Sequence, residues 1–338
     1  MNILLTSVGR RTYLVHYFLN ALKNEGKVFV SNSVMTYAMS QADDYVITPP
    51  IYDKGYISFL IDYCKSKHIS AILSCFDIDI PILALHKSEF TAEGITLVVS
   101  DYDTTVICND KWLTFKKLTN IGIHTPKTFI DIEEVRRLIT NGSLHFPLIM
   151  KPRWGMGSIG IMIADNLDEL NVLYAKLHRD IFNTYLKYES QMDTNKCIVI
   201  QEMIQAQEYG LDILNDLSGD FVTVIAKKKI AMRAGETDIA EIVDNKRFWN
   251  IGRNLSTSLR HIGNLDADCF VNDNGDIYVL ELNCRFGGQY PFSHLAGVDF
   301  PQQIVDWLKG NPTSTAYITP QVGTRCCKDL NPVILSHI

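Results

Sequence analysis

Two stretches of this 338-residue chain carry residue types and spacings able to do chemistry. The first, IMKPRWGMGSIG, spans 149–160. Glycine has no Cβ, so the backbone N–H groups around Gly155, Gly157 and Ser158 can approach an anion closely. Lys151 stands inside the apolar run PLIMKP, where an unpaired ammonium is costly and an anionic ligand would supply the partner. A P-loop would place its lysine after the last glycine, followed by Ser or Thr, and that order is absent here. Positions 155–160 also have the form G-x-G-x-x-G, but a dinucleotide fingerprint requires a helix directly after the glycines. Instead, Ile161-Met162-Ile163-Ala164 and Asp165-Asn166 read as a strand and a turn. The glycines therefore belong to a hairpin, a flap over a phosphate-bearing ligand.

The second stretch, DADCFVNDNGDIYVLELNCRFGG, spans 266–288. Strand alternation places Glu281 and Asn283 on one face. The turn signal Asn274-Gly275 folds the stretch into a hairpin and brings Asp268 close to Glu281 on the neighbouring strand. Like charges facing each other across strands destabilise a sheet unless a cation lies between them. Two carboxylates and an amide oxygen make a hard oxygen site suited to Mg²⁺ that also holds phosphate oxygens. Arg285 follows two residues further on. Upstream, KKKIAMRAGET (227–237) offers Arg233 and one of Lys227 or Lys229 to a γ-phosphate or a substrate carboxylate, and a solvated loop accounts for the same residues equally well.

These residues need elements to position them. The first hundred residues alternate strands (2–7, 27–31, one within 43–50, 71–74, 94–100) with helices (13–24, 56–67, 80–90), the grammar of a parallel sheet covered on both faces. Ser7-Val8-Gly9-Arg10-Arg11, the turn after the first strand, and Asp77 and Asp79, after the 71–74 strand, fall where such sheets place ligands, and plain turns with solvated charges account for them equally well. From 109 the pattern changes: a helix carrying Lys111, the flap, a helical stretch over 167–188, strands within 197–214 and at 221–228, the 264–283 hairpin, and a last helix over 301–310. Hydrophobic residues make up 46% and charged residues 21%, which describes a globular protein of two or three lobes. A net charge of −6 gives no general attraction to nucleic acid or acidic lipid, and no apolar run reaches membrane-spanning length. The eight cysteines form no C-x-x-C pair and the N-terminus has no secretory layout, so free thiols in a reducing cytoplasm are expected.

The Lys-Pro-x-x-G-x-G-S-x-G loop and the Glu-x-Asn-x-Arg strand together resemble the ATP-grasp superfamily, and the likeness covers nearly the whole chain. It is similar to half of the carbamoyl phosphate synthase large subunit and to the amino-acid ligase of pyrrolysine biosynthesis. The resemblance implies an α/β parallel-sheet pre-ATP-grasp domain over 1–108, followed by a two-lobed α+β ATP-grasp fold over 109–312. The lid falls at about 125–200, with a C-terminal extension over 313–338. It implies that Lys111 and Lys151 contact the α- and β-phosphates of ATP. Glu202, Met203 and Ile204 form the adenine hinge, and Glu208 meets the ribose. Asp268, Glu281 and Asn283 hold two Mg²⁺ ions, with Mn²⁺ as an alternative, and Arg285 and Arg233 serve the reacting groups. The implied activity is ligation of a small carboxylic acid, such as an amino acid, to an amine through an acyl phosphate, releasing ADP and phosphate. Catalysis then rests on positioning and charge neutralisation without a side-chain nucleophile. Phosphorylation of bicarbonate or carbamate, and ATP binding without turnover, are the rival readings. Partners are the small-molecule substrates, with no nucleic acid or membrane, and a homodimer is compatible with the family.

Overall fold

Strand β1 (Asn2–Thr6) is buried from Ile3 onward, and a strand apolar on both faces needs cover on both. The computed structural model describes residues 1–334 and supplies that cover. Its first layer is a five-stranded parallel sheet ordered β3-β2-β1-β4-β5, with β2 (Val28–Asn32), β3 (Asp44–Ile47), β4 (Ile69–Ser74) and β5 (Thr96–Leu97). The helix Thr12–Leu22 buries Leu14, Val15 and Phe18 against this sheet. The expected helix over 80–90 is two helices, Asp79–Leu85 and Lys87–Ala92, meeting at His86. Because β1 lies between β2 and β4, the loops after β1 and β4 diverge and open a crevice at the sheet's carboxyl edge.

The second layer is a four-stranded antiparallel sheet ordered β6-β9-β7-β8, made of β6 (Thr128–Phe129), β7 (Leu148–Pro152), β8 (Met162–Ala164) and β9 (Ile198–Glu202). Met150 pairs with Met162, so residues 153–161 are a hairpin loop, as the glycines require. The helix Leu167–Phe182 starts at the N-cap Asn166, which accepts from the Glu169 N–H at 2.9 Å, and the Glu169 carboxylate takes the N–H of Asp165, one residue before the cap. It ends at Phe182 rather than 188. The next turns bring Tyr188 onto Tyr52 of the first lobe at 4.5 Å between ring centroids, and Glu189 accepts from the Tyr52 hydroxyl.

The third layer is a six-stranded antiparallel sheet ordered β14-β13-β10-β11-β12-β15. Its strands are β10 (Gln207–Asn215), β11 (Phe221–Arg233), β12 (Glu236–Val243), β13 (Gly263–Val271), β14 (Ile277–Asn283) and β15 (Arg325–Cys327). The basic stretch 227–237 is not a loop. β11 runs on to Arg233 and turns through Ala234 and Gly235, both at positive φ, into β12. The strand signal was masked because inward positions carry lysines: Lys227 is fully buried against Asp212, and Lys229 pairs with Glu208 and Asp268. A helix absent from the sequence reading, Lys246–Leu259, covers one face of this sheet. β15 lies within the expected C-terminal extension and closes the β12 edge; the last four positions, 335–338, lie outside the described residues. Among the described residues, no helix is long and apolar enough to cross a membrane.

Candidate active site

The register of β13 and β14 sets the site. Asp268 pairs with Glu281 and Asp266 with Asn283 across the hairpin. All four residues line a cavity of about 230 Å³ between the six-stranded sheet, the flap and the first lobe. Lys111 opens the helix Lys111–Asn120, whose cap Asp110 accepts from the N–H groups of Trp112 and Leu113. Its ammonium donates to the Gly155 carbonyl and lies 3.6 Å from Glu281. Lys151, on β7, is 7% exposed and forms no ion pair or hydrogen bond through its ammonium among the described residues. Burial depresses it to about 8; Glu281 opposes that shift and Lys111 adds to it. Glu281 shows the reverse balance: burial pushes its carboxyl up, but Lys111 and Lys151 hold it at about 2.

The flap closes over these groups. Met156 and Gly157 line the cavity, and the Ser158 hydroxyl donates to the Gly235 carbonyl at 3.3 Å, joining the flap to the β11–β12 turn. Gly160 has φ +73°, and a Cβ there would stand 2.8 Å from Leu177, so position 160 needs glycine twice over. Arg153, at the stem, makes a two-armed contact with Asp110 at 2.8 and 2.7 Å, tying the flap to the helix that carries Lys111.

Asp268 is shared between Lys229, at 2.8 Å, and Gln289, at 3.0 Å. Glu208 lies 2.6 Å from Lys229, and its carboxyl is raised by burial against the pull of that lysine. Arg285 is held from both sides, by Asp77 at 2.9 Å and by Asp266 at 3.2 Å. Its fork therefore bridges the first lobe to the main sheet. Asp266 is raised to about 6 by burial and by Asp268, with Arg285 pulling the other way. Gly287 lets Asp266 in: a Cβ there would meet its carboxylate at 2.2 Å. Asp79 stays out of the cavity. Fully buried, it accepts from Thr6, Ser7, Tyr56 and Ser74.

Lys111, Lys151 and Glu208 do not themselves line the cavity but adjoin the carboxylates and the lysine that do, and Glu202, the 203–204 connection and Arg233 sit apart from it. Glu202 ends β9, and its carboxylate accepts from the Lys127 N–H at 2.9 Å. Met203 is exposed and Ile204 half-buried in the connection to β10. Arg233 is exposed near the tip of β11 and pairs with Asp238 at 3.0 Å. Of Lys227 and Lys229, only Lys229 reaches the cavity. From the turn after β1 it is Arg11 that lines the cavity; the sequence reading missed Gln289 and Lys328, which also line it and which no local pattern marks.

The residues present fit nucleotide phosphates and a hard cation. A buried lysine without a partner calls for an anion. An ionised Glu281 beside Asn283, with no hydrogen bond to the Asn283 side chain among the described residues, offers oxygen donors.

Residues 108–289 match the ATP-grasp domain family, and residues 3–98 match the PylC-like N-terminal domain family. The chain belongs to the ATP-grasp family. The arginine-specific carbamoyl phosphate synthase large chain of Bacillus subtilis is 23% identical over 264 residues, covering 72% of this chain and 22% of that protein. This chain thus spans about a fifth of that relative's length. Among solved structures, the L-amino acid ligase of Bacillus licheniformis superimposes with TM-score 0.73 at 17% identity, covering 95% of this chain and 78% of that one. The biotin carboxylase domain of the Hydrogenobacter thermophilus 2-oxoglutarate carboxylase, in complex with MgADP and bicarbonate, superimposes with TM-score 0.73 at 14% identity, covering 95% and 72%.

Proposed function

We propose that this protein joins a carboxylate to an amine at the expense of ATP. The carboxylate attacks the γ-phosphorus and the bond to ADP breaks, giving an acyl phosphate. The amine then attacks the acyl carbon, phosphate leaves with the bonding pair, and the amine's proton passes to solvent. The observation that carries this reading is the meeting of Lys111, unpartnered Lys151 and ionised Glu281 with Asn283 beneath a glycine flap. Lys111 and Lys151 neutralise the phosphate chain, and Lys151 gains the anion its buried position lacks. Glu281 and Asn283, with Asp268 beside them, would hold Mg²⁺, which when bound offsets the charge moving onto the leaving oxygen. The flap excludes water, which would otherwise hydrolyse the acyl phosphate. Arg285, spent on Asp77 and Asp266, keeps the first lobe in register with the sheet.

The test is phosphate release with Mg-ATP across pairs of acids and amines, followed by Glu281→Gln on an active pair. The neutral amide is a poorer ligand for a hard cation, so turnover should fall by about 10²–10³ while ATP affinity changes far less. Near-normal turnover in a folded Glu281→Gln protein would defeat the assignment.

A further inference from the structure

The cavity continues past the phosphate end to a second group of charges. Arg11 ends the loop after β1, lines the cavity, is half-buried, and forms no ion pair among the described residues. Lys328 lines the same cavity. It directly follows β15, its N–H donates to the Asp238 carbonyl at 2.8 Å, and its ammonium lies 2.9 Å from Glu236. Glu236 opens β12 beside the turn that the flap touches. Its carboxyl is held below the usual range first by the hydrogen bond from Lys328, with Arg10 and Arg11 adding to the pull. In the cavity wall Glu236 is the carboxylate partner of Lys328, and Arg11 is left without one, a local surplus of one positive charge. Of the cations lining the cavity, Arg285 is held by two aspartates and Lys229 by Glu208 and Asp268, whereas among the described residues Lys328 has one carboxylate partner and Arg11 none. The capacity to bind an additional anion is concentrated at Arg11 and Lys328.

We propose that Arg11 and Lys328 form a subsite for a substrate carboxylate other than the one that is phosphorylated. The inference rests on the ligase reading and narrows its substrates: at least one partner carries a spare carboxylate. Two sources share that chemistry, a dicarboxylic acid substrate or an amino acid serving as the amine. A cavity of about 230 Å³ suits molecules of that size beside a phosphate group. Lys328 lies beyond both stretches matched to families, 3–98 and 108–289, so the subsite is completed by a part of the chain those families do not describe.

The experiment uses the full chain and measures phosphate release with Mg-ATP over a matrix. Acids with and without a second carboxylate (glutamate against norvaline) are crossed with amines with and without one (alanine against ethylamine, lysine against cadaverine). Turnover should require the spare carboxylate on one partner, and the arm that loses activity without it identifies the source. Arg11→Met and Lys328→Met should each raise KM for that partner on the order of 10–10²-fold, the worth of one charge-assisted hydrogen bond. The changes in kcat and in KM for ATP should be much smaller, and Arg11→Lys should restore part of the loss. Lys328→Met, on an edge segment, keeps the test decisive if Arg11→Met fails to fold. Unchanged KM in a folded Lys328→Met protein, or equal turnover with the analogues lacking the spare carboxylate, overturns the subsite and leaves the ligase reading standing. Wild-type protein that binds ATP yet releases phosphate with no pair overturns the ligase reading itself, and the subsite with it.

Discussion

At the scale of single residues, the site is a set of charges whose balance is incomplete without ligand. Lys151 is the sharpest case, since burial depresses it from the ordinary lysine value of 10.5 to about 8. A folded-state value below the unfolded one means the unfolded chain binds the proton more tightly. Stability is therefore penalised at neutral pH, by up to about 3 kcal/mol, and the penalty fades as pH rises through about 8 to 10.5. Lys151→Met should consequently raise the urea midpoint of the ligand-free protein at pH 7 while weakening ATP binding by roughly 10–10²-fold. A phosphate partner pulls the lysine's proton affinity back up, so binding near pH 8–9 should take up a proton. Calorimetry in buffers of different ionisation enthalpy reads that uptake. Nucleotide affinity unchanged by the substitution would remove Lys151 from the site.

At the scale of elements, the flap matters most. Its glycines bring few packing side chains, and its tip is held by the Ser158 bond to the Gly235 carbonyl. Its stem is firmer, fixed by Arg153 on Asp110 and by the β7–β8 ladder. That contrast predicts fast amide exchange at 155–160 and slow exchange in β7 without nucleotide, with the tip slowing markedly once a non-hydrolysable ATP analogue and Mg²⁺ are added. Equal tip exchange in both states would mean the hairpin does not close on the nucleotide. Gly160→Ala should blunt the ligand-induced slowing, because a Cβ there meets Leu177 and the backbone must leave positive φ.

At the scale of the molecule, buried titratable groups inside and outside the site set the response to acid. His261 is fully buried, with Nε2 3.1 Å from the Ile213 carbonyl, and burial lowers it to about 4. Its folded value lies below the unfolded one of about 6.5, so it contributes stability above that pH and loses it progressively down to about 4. The loss is on the order of 3 kcal/mol. Asp79 and Asp266 act in the other direction. Their carboxyls are raised by burial, so the stability they contribute is present below their unfolded values and lost as pH rises through the folded ones. The informative measurement is therefore a difference: between pH 7 and 4.5 the thermal midpoint of His261→Gln should fall less than that of the wild type. Parallel curves would mean that His261 does not titrate on unfolding.

Much of this protein was legible in one dimension because its signals are local. The flap follows from glycines next to a lysine in an apolar run. The face shared by Glu281 and Asn283 follows from period-two alternation, and the β13–β14 hairpin from Asn274-Gly275. The parallel sheet follows from alternating apolar runs. Local pattern failed where an inward position carries a charge neutralised from afar: β11 reads as a basic loop until Asp212, Glu208 and Asp268 are seen to pair with its lysines. It could not show that Arg285 would be taken up by Asp77, which is distant in sequence. Nor could it show that Lys328 would be carried into the cavity by an edge strand near the chain's end. Composition and periodicity determined most of the elements and the inward faces of those whose inward positions are apolar, because those depend on neighbours along the chain. Which charges are satisfied and which remain for a ligand was decided only by tertiary structure, because ion pairing depends on distances of a few ångströms between lobes that sequence spacing does not encode.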